Sequence, residues 1–459
     1  MLTHARIASG NGLVALGITL GAAVSTAIAS SETHVDATLR GQVQAFFRAE
    51  NQKARDALLS SISDAAGTRI QQVAQALKSV ELWTKLPKRR GVFAFTSGAY
   101  GTLSIAYSLP EGYDPATKYP LVLCMPDAHA SPEETVEDAA RLLGHHAGEL
   151  ALVCPERRIG GSFSDAPIAA GDLRRLVRLT RKHIHIDSDR TYLLGLGAGG
   201  DGVWMVSITH ADLFAGAIAL FGYPRVPYPE QAYPMLLENL RQVGVLTVWL
   251  APDDPWATGQ QKVAAAHNRG IIEFARAVSL PISGVELPSG QMPVLPEGEV
   301  SRVIDRRRPG PGKQVSHWFR YPEHGRTIWL RQTRPAGEPW YADQLAILPA
   351  PATDAHEFVR QVLRANFGYL GGHINGQTVE IEARGCAGVE LLLYDGMIDF
   401  SLPVVVVCNG RKRYEGLMRP SIKTLLEFAY DEWEFQHPAW LRLPISIGPP
   451  SRPGSGTRP

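Results

Sequence analysis

The sequence predicts an α/β protein: a mostly parallel sheet covered on both faces by helices, followed by a small β-rich module. Three observations carry this. From about Gly91 to Leu250, short continuous apolar runs alternate with amphipathic stretches, the pattern of strands buried on both faces. The chain has 459 residues, 45% hydrophobic and 20% charged, enough for a full core and for two or three domains. From about Ala352 the texture changes to strands joined by tight turns.

In chain order, residues 1–29 read as a secretory signal peptide. His4 and Arg6 make a weak polar start, an apolar stretch runs from Leu13 to Ile28, and Ala27-Ile28-Ala29 offers a small-x-small cleavage site. An exported protein is therefore expected: periplasmic, secreted or associated with the cell envelope. An uncleaved anchor is the alternative, since the stretch is near the lower length limit for spanning a bilayer. No other segment is long and apolar enough to span.

Residues 30–89 read as a helical segment. Asp36 caps a helix with Leu39, Val43, Phe46 and Phe47 on one face, and Ile70, Val73, Ala74, Leu77 and Val80 repeat that spacing beyond Gly67. These helices are expected to pack on the domain that follows, residues 90–300. There, Val92-Phe95 and Leu103-Tyr107 form an opening antiparallel pair. Leu121-Cys124 is a buried strand, Glu133 to Leu143 an acidic helix, and Leu150-Cys154 a second buried strand. Asp172 is read as the cap of a helix carrying Leu173, Leu176, Val177 and Ile184. Strands Thr191-Leu194, Ala217-Leu220 and Val245-Leu250 follow.

Residues 301–351, rich in Pro, Arg and Gly, read as a linker or extension. The β-rich module covers 352–447: a helix from Thr353 to Asn366, then Thr378-Glu382, Val389-Leu393 and Val404-Cys408. Asn409-Gly410 then makes a type I′ turn into Arg413-Leu417. Residues 448–459 are read from their composition as a disordered tail.

Charge and cysteine bound the function classes. Lys and Arg total 46 and Asp and Glu 45, and the basic runs Lys88-Arg89-Arg90 and Arg306-Arg307-Arg308 are short, so no nucleic-acid partner is expected. Cys124, Cys154, Cys386 and Cys408 each sit in or beside an apolar run, as buried small hydrophobes do; a Cys124–Cys154 bridge stays open. His145-His146 and His183-x-His185 have no convincing third ligand nearby, so no metal is expected.

The chemistry should lie in Asp187-Ser188-Asp189-Arg190-Thr191-Tyr192-Leu193-Leu194-Gly195-Leu196-Gly197-Ala198-Gly199-Gly200 and the helix through Trp204. This stretch resembles the nucleophile elbow of the α/β-hydrolase superfamily, particularly exported esterases related to polyhydroxybutyrate depolymerases and prolyl-oligopeptidase-type peptidases. There a polar Asp-x-x-Arg lead enters an apolar strand that ends in Gly-x-Ser-x-Gly-Gly. Gly195 and Gly199 match the flanking glycines, and Gly197 stands in the serine's place. Glycine keeps the turn, because it escapes the strain of that backbone, but deletes the attacking atom.

The resemblance implies the other positions. Asp254, with Asp253 as alternate, matches the triad acid, and Gln291 stands where histidine is wanted; His324, in Glu323-His324-Gly325, is the fallback. Met125 and Pro126 align with the oxyanion loop, where proline lacks a donor, and Ala198 follows the vacated nucleophile. The expected function is thus a catalytically inactive hydrolase-fold protein, with no cofactor, that binds a small molecule or a protein partner. Candidate ligand contacts at the strand ends are Asp127, His129, Glu156, Arg157, Arg158, Asp201 and Tyr223, with Arg157 and Arg158 suited to an anion unless Glu156 pairs with one of them.

Two alternatives stay open. One is an active carboxylesterase or peptidase-like hydrolase with another nucleophile, for which Ser162 and Ser164 carry no particular signal. The other is a dinucleotide-binding protein using Gly195-x-Gly197-x-x-Gly200, against which the strand after the helix ends in Phe221-Gly222 and not in an acidic residue.

Overall fold

A computed structural model describes residues 37–64, 69–98, 101–156, 167–224, 233–255, 257–288, 295–337, 361 and 364–448. The signal segment, Asp36, Arg157, Arg158, Ser162, Ser164, Gln291, most of the helix expected over Thr353 to Asn366 and the tail from residue 449 lie outside them.

The chain opens with three helices, α1 (Ala37–Arg48), α2 (Gln52–Asp64) and α3 (Ile70–Lys78). The sheet domain then runs β1 (Arg90–Ser97), β2 (Gly101–Ser108), β3 (Tyr119–Met125), α4 (Pro132–Leu143), β4 (Ala151–Pro155), α5 (Pro167–His183), β5 (Ile186–Leu196) and α6 (Ala198–Thr209). It continues with β6 (Gly216–Leu220), α7 (Tyr233–Leu237), β7 (Gly244–Leu250), α8 (Gly259–Ala277), β8 (Ile282–Leu287) and α9 (Glu297–Ile304).

The eight strands lie in the order β1-β2-β4-β3-β5-β6-β7-β8. β2 is antiparallel to both β1 and β4, and every pair from β4 to β8 is parallel. This order is that of the α/β-hydrolase fold. β4, β6 and β7 are buried at every residue, which is why their sequences are unbroken apolar runs. One core, with Trp204 and Phe214, packs on one face; a second, with Tyr192 and Leu246, packs on the other. Chain order reverses between β3 and β5, so the crevice at their carboxyl ends is the topological switch point where ligands bind in such sheets.

Three expectations are corrected. The 301–351 segment is not only a linker: it supplies β9 (Gln314–Phe319) and β10 (Leu330–Pro335), which join the C-terminal sheets. A five-stranded sheet has the order β15-β14-β12-β11-β9, and a three-stranded sheet β10-β13-β16. Their remaining strands are β11 (Gly368–Asn375), β12 (Thr378–Arg384), β13 (Cys386–Leu393), β14 (Pro403–Cys408), β15 (Arg411–Leu417) and, after helix α10 (Ile422–Glu432), β16 (Leu441–Ser446). Secondly, the N-terminal helices bury Val43, Phe47, Ile62 and Leu77 mainly against Leu425, Leu426, Ala429 and Trp433 in and just beyond α10, so the described start of the chain docks on the C-terminal module; Trp83, stacked on His185, is their tie to the sheet domain. Finally, Asp172 lies inside α5, not at its start, and its carboxylate accepts from Ser97 Oγ at 2.5 Å and Gly98 N at 3.2 Å.

The hairpin turn follows its sequence. Asn409 and Gly410 have φ of 51° and 71°, the two left-handed residues of a type I′ turn, between paired Cys408 and Arg411. Cys124 and Cys154, on adjacent strands, are free buried thiols, and burial pushes Cys124 up to about 12.

Candidate functional site

The elbow forms as the resemblance implies. β5 ends at Leu196, Gly197 takes φ 54° and ψ −118°, and α6 begins at Ala198. That left-handed conformation strains any residue with a Cβ by about 1–3 kcal/mol, and glycine avoids it. The surrounding glycines serve backbone packing: a Cβ at Gly195 would strike the Gly199 carbonyl, one at Gly199 the Met125 carbonyl, and one at Gly200 the Leu220 carbonyl. Strand, turn and helix can meet this closely only without side chains.

What occupies the vacated position is the carboxylate of Asp127. A Cβ placed on Gly197 would lie 2.6 Å from Asp127 Oδ1, and Ala198 N–H donates to that same oxygen at 2.9 Å. Asp127 follows β3 and Pro126, the loop that in a serine hydrolase helps to hold the oxyanion. Ala198 N–H is the donor that such an enzyme would offer to the substrate's oxyanion, and here the exposed side chain of Asp127 takes it. A carboxylate at the start of α6 also faces the positive end of the helix dipole. The geometry therefore lacks a hydroxyl at the elbow and caps the elbow's amide.

The other positions divide. Asp201, in the first turn of α6, accepts from Tyr223 N at 2.9 Å, and the Tyr223 ring stacks on His267 with centroids 4.8 Å apart, so Asp201 and Tyr223 are joined just beyond β6. Asp254 is buried in the turn after β7 and Asp253 is exposed. Met125 is buried beneath the elbow, where its side chain lies close to Gly195 and Gly202. Glu156 accepts from Ser104 N at 3.0 Å and so ties β4 to β2.

His324 is not brought to the elbow. Its ring lies 5.4 Å from that of His210, the C-cap of α6, so the length of that helix, about 18 Å, separates it from Gly197. Burial, with His317 adding to it, pushes His324 down to about 3, so its imidazole is neutral across the physiological range.

Two features were hidden from the sequence. Asp127 was legible only as a strand-end polar residue, because its partner Ala198 is 71 residues away. Glu297, at the start of α9, joins His145 and His146, the three donor atoms lying within 4.8 Å of one another. His145 and Glu297 are exposed and the group is one donor short of a closed tetrahedral zinc site.

No family model matches the chain, and no curated protein matches it in sequence. Solved structures are similar over about half of it. A thermostable esterase is 18% identical over 48% of this chain and 64% of its own, with a TM-score of 0.38. A protein described as a dipeptidyl aminopeptidase IV from Bacteroides ovatus is 13% identical over 48% of this chain and 36% of its own, TM-score 0.36. The chain thus spans less than two thirds of the length of either. A poly(aspartic acid) hydrolase-1 from Sphingomonas is 15% identical over 47% of this chain and 97% of its own, TM-score 0.35. All are hydrolases by description, and the assignment of the α/β-hydrolase fold to this chain rests on its own strand order and elbow.

Proposed function

We propose that this α/β-hydrolase-fold protein has given up serine-hydrolase chemistry and acts by binding a small molecule or a partner segment in the crevice at the carboxyl ends of β3, β5 and β6. One observation carries the reading: the Asp127 carboxylate sits where the nucleophile's side chain would begin and accepts the Ala198 N–H. A substrate acyl group would meet no attacking oxygen at position 197 and would find the Ala198 N–H already engaged, which leaves at most the residual rate that binding and any remaining donor supply.

The dinucleotide alternative gains no support. The glycines of Gly195-x-Gly197-x-x-Gly200 are each filled by the protein's own atoms, and the helix start already holds an anion that would repel a pyrophosphate. Export is part of the proposal and rests on residues 1–29 alone; N-terminal sequencing of secreted material should find a chain that starts just after Ala29.

Activity is tested with p-nitrophenyl acetate and butyrate on the purified chain, alongside a fluorophosphonate label. The expected result is neither turnover nor labelling. Turnover by a labelled native protein would establish an active hydrolase, and the labelled residue would identify its nucleophile.

A further inference from the structure

His145 and His146 lie on the short helical turn Gly144–Glu149, between α4 and β4. Along the sequence they have no third ligand, and the fold supplies one. Glu297 opens α9, and Ser301 stands four residues on, on the same face of that helix. The donor atoms of His145, His146 and Glu297 lie within 4.8 Å of one another, and no other such group of three occurs among the described residues.

The spacing is close to that of a metal centre. His145 Nε2 is 3.7 Å from Glu297 Oε1, and the two imidazole rings have centroids 3.9 Å apart. Ligands of one tetrahedral zinc, each about 2.0–2.1 Å from it, stand about 3.3 Å from one another. A few tenths of an ångström therefore bring the first pair to ligand spacing. Rotation of side chains closes the rest, since His145 and Glu297 are exposed and open to an entering ion. The backbones need not move: Leu143 before the turn and Val300 and Val303 of α9 are buried in one core, with Ala147 packed on it. Ser301 Oγ, 3.2 Å from His146 Nε2, holds that half-buried ring.

The donor types choose the ion. Two imidazoles and one carboxylate suit zinc, whereas calcium and magnesium take oxygen ligands. Glu297 is not claimed by an arginine or lysine among the described residues; Arg302, on the same helix, pairs with Glu299 at 2.6 Å. A simple ion pair between His145 and Glu297 would account for two of the three groups and leave His146 without a part. We infer that His145, His146 and Glu297 bind one zinc ion, with water in the fourth position, and that the ion ties the turn before β4 to α9. The site does not depend on the binding function proposed above.

The test titrates the untagged chain, freed of metal with EDTA, with zinc chloride by calorimetry. One zinc per chain should bind, an excess of magnesium chloride should not compete, and zinc should raise the melting temperature, as linkage requires for a ligand of the folded state. His145→Ala and Glu297→Gln should each weaken binding by at least about tenfold, the loss that removing even a supporting group causes. His373→Ala, at an exposed position of β11, should leave the affinity unchanged. Because His145 and Glu297 are exposed, the two variants should melt like the native chain without zinc. If either does not fold, native crystals soaked in zinc decide, with an anomalous peak expected between the three side chains. No binding by the native chain, an affinity unchanged in both variants, or a peak only elsewhere overturns the site.

Discussion

At position 197 a side chain would meet Asp127 before it met any substrate. Gly197→Ser should therefore lower the urea midpoint, and Asp127→Ala should cost less in the Gly197→Ser background than in the native chain, because it removes the group the new side chain strikes. Strictly additive losses would mean that Asp127 does not hold the position. Asp127→Ala by itself should lower stability by about 0.5–1 kcal/mol in urea, the usual worth of a carboxylate at a helix start. The sequence made Gly197 legible because the glycine pattern is local. It left Asp127 among several strand-end candidates, because which of them bends over the elbow depends on the register of β3 beside β5, where Met125 faces Gly195.

Elements buried on both faces could be read from their composition, as β3, β4, β6 and β7 could. β9 and β10 could not: they lie amid Pro, Arg and Gly and acquire partners only from β11 and β13, tens of residues onward. The elbow element is packed so closely that Gly200→Ala, whose methyl would press on the Leu220 carbonyl, should cost about 1–3 kcal/mol, visible as a lower urea midpoint. Helix α10 buries Leu426 completely among the N-terminal helices. Leu426→Ala should cost about 2–5 kcal/mol and expose α1 to α3 to limited proteolysis; an unchanged digestion pattern would contradict that docking.

Across the whole molecule, the described start and end of the chain meet at α10, and the polar lead of β5 turns toward the C-terminal module. Glu434 accepts from Ser188 Oγ at 2.7 Å, and Asp187 pairs with Arg307 at 3.0 Å. In the family resemblance this lead belongs to the elbow; here its side chains hold two folding units together, which no local pattern announces. The seam sets the acid response. Although burial opposes it, Arg326 and Arg308 hold Glu432 and Glu434 at about 2, below the ordinary 4.5. Burial holds His324 at about 3 and His317 and His185 at about 4, below 6.5. Each depressed group binds protons more readily when unfolded, so its contribution is complete above its ordinary value and is lost as pH falls toward its folded one. The urea midpoint should decline from pH 6.5 downward and fall further below 4.5. A midpoint that is flat or rising between pH 7 and 4 would contradict the seam's burial.

The most direct measurement is hydrolysis of p-nitrophenyl acetate by the native chain, run with a fluorophosphonate label on the same sample. Silence in both is expected of an elbow filled by Asp127. Turnover together with a single labelled residue would contradict it.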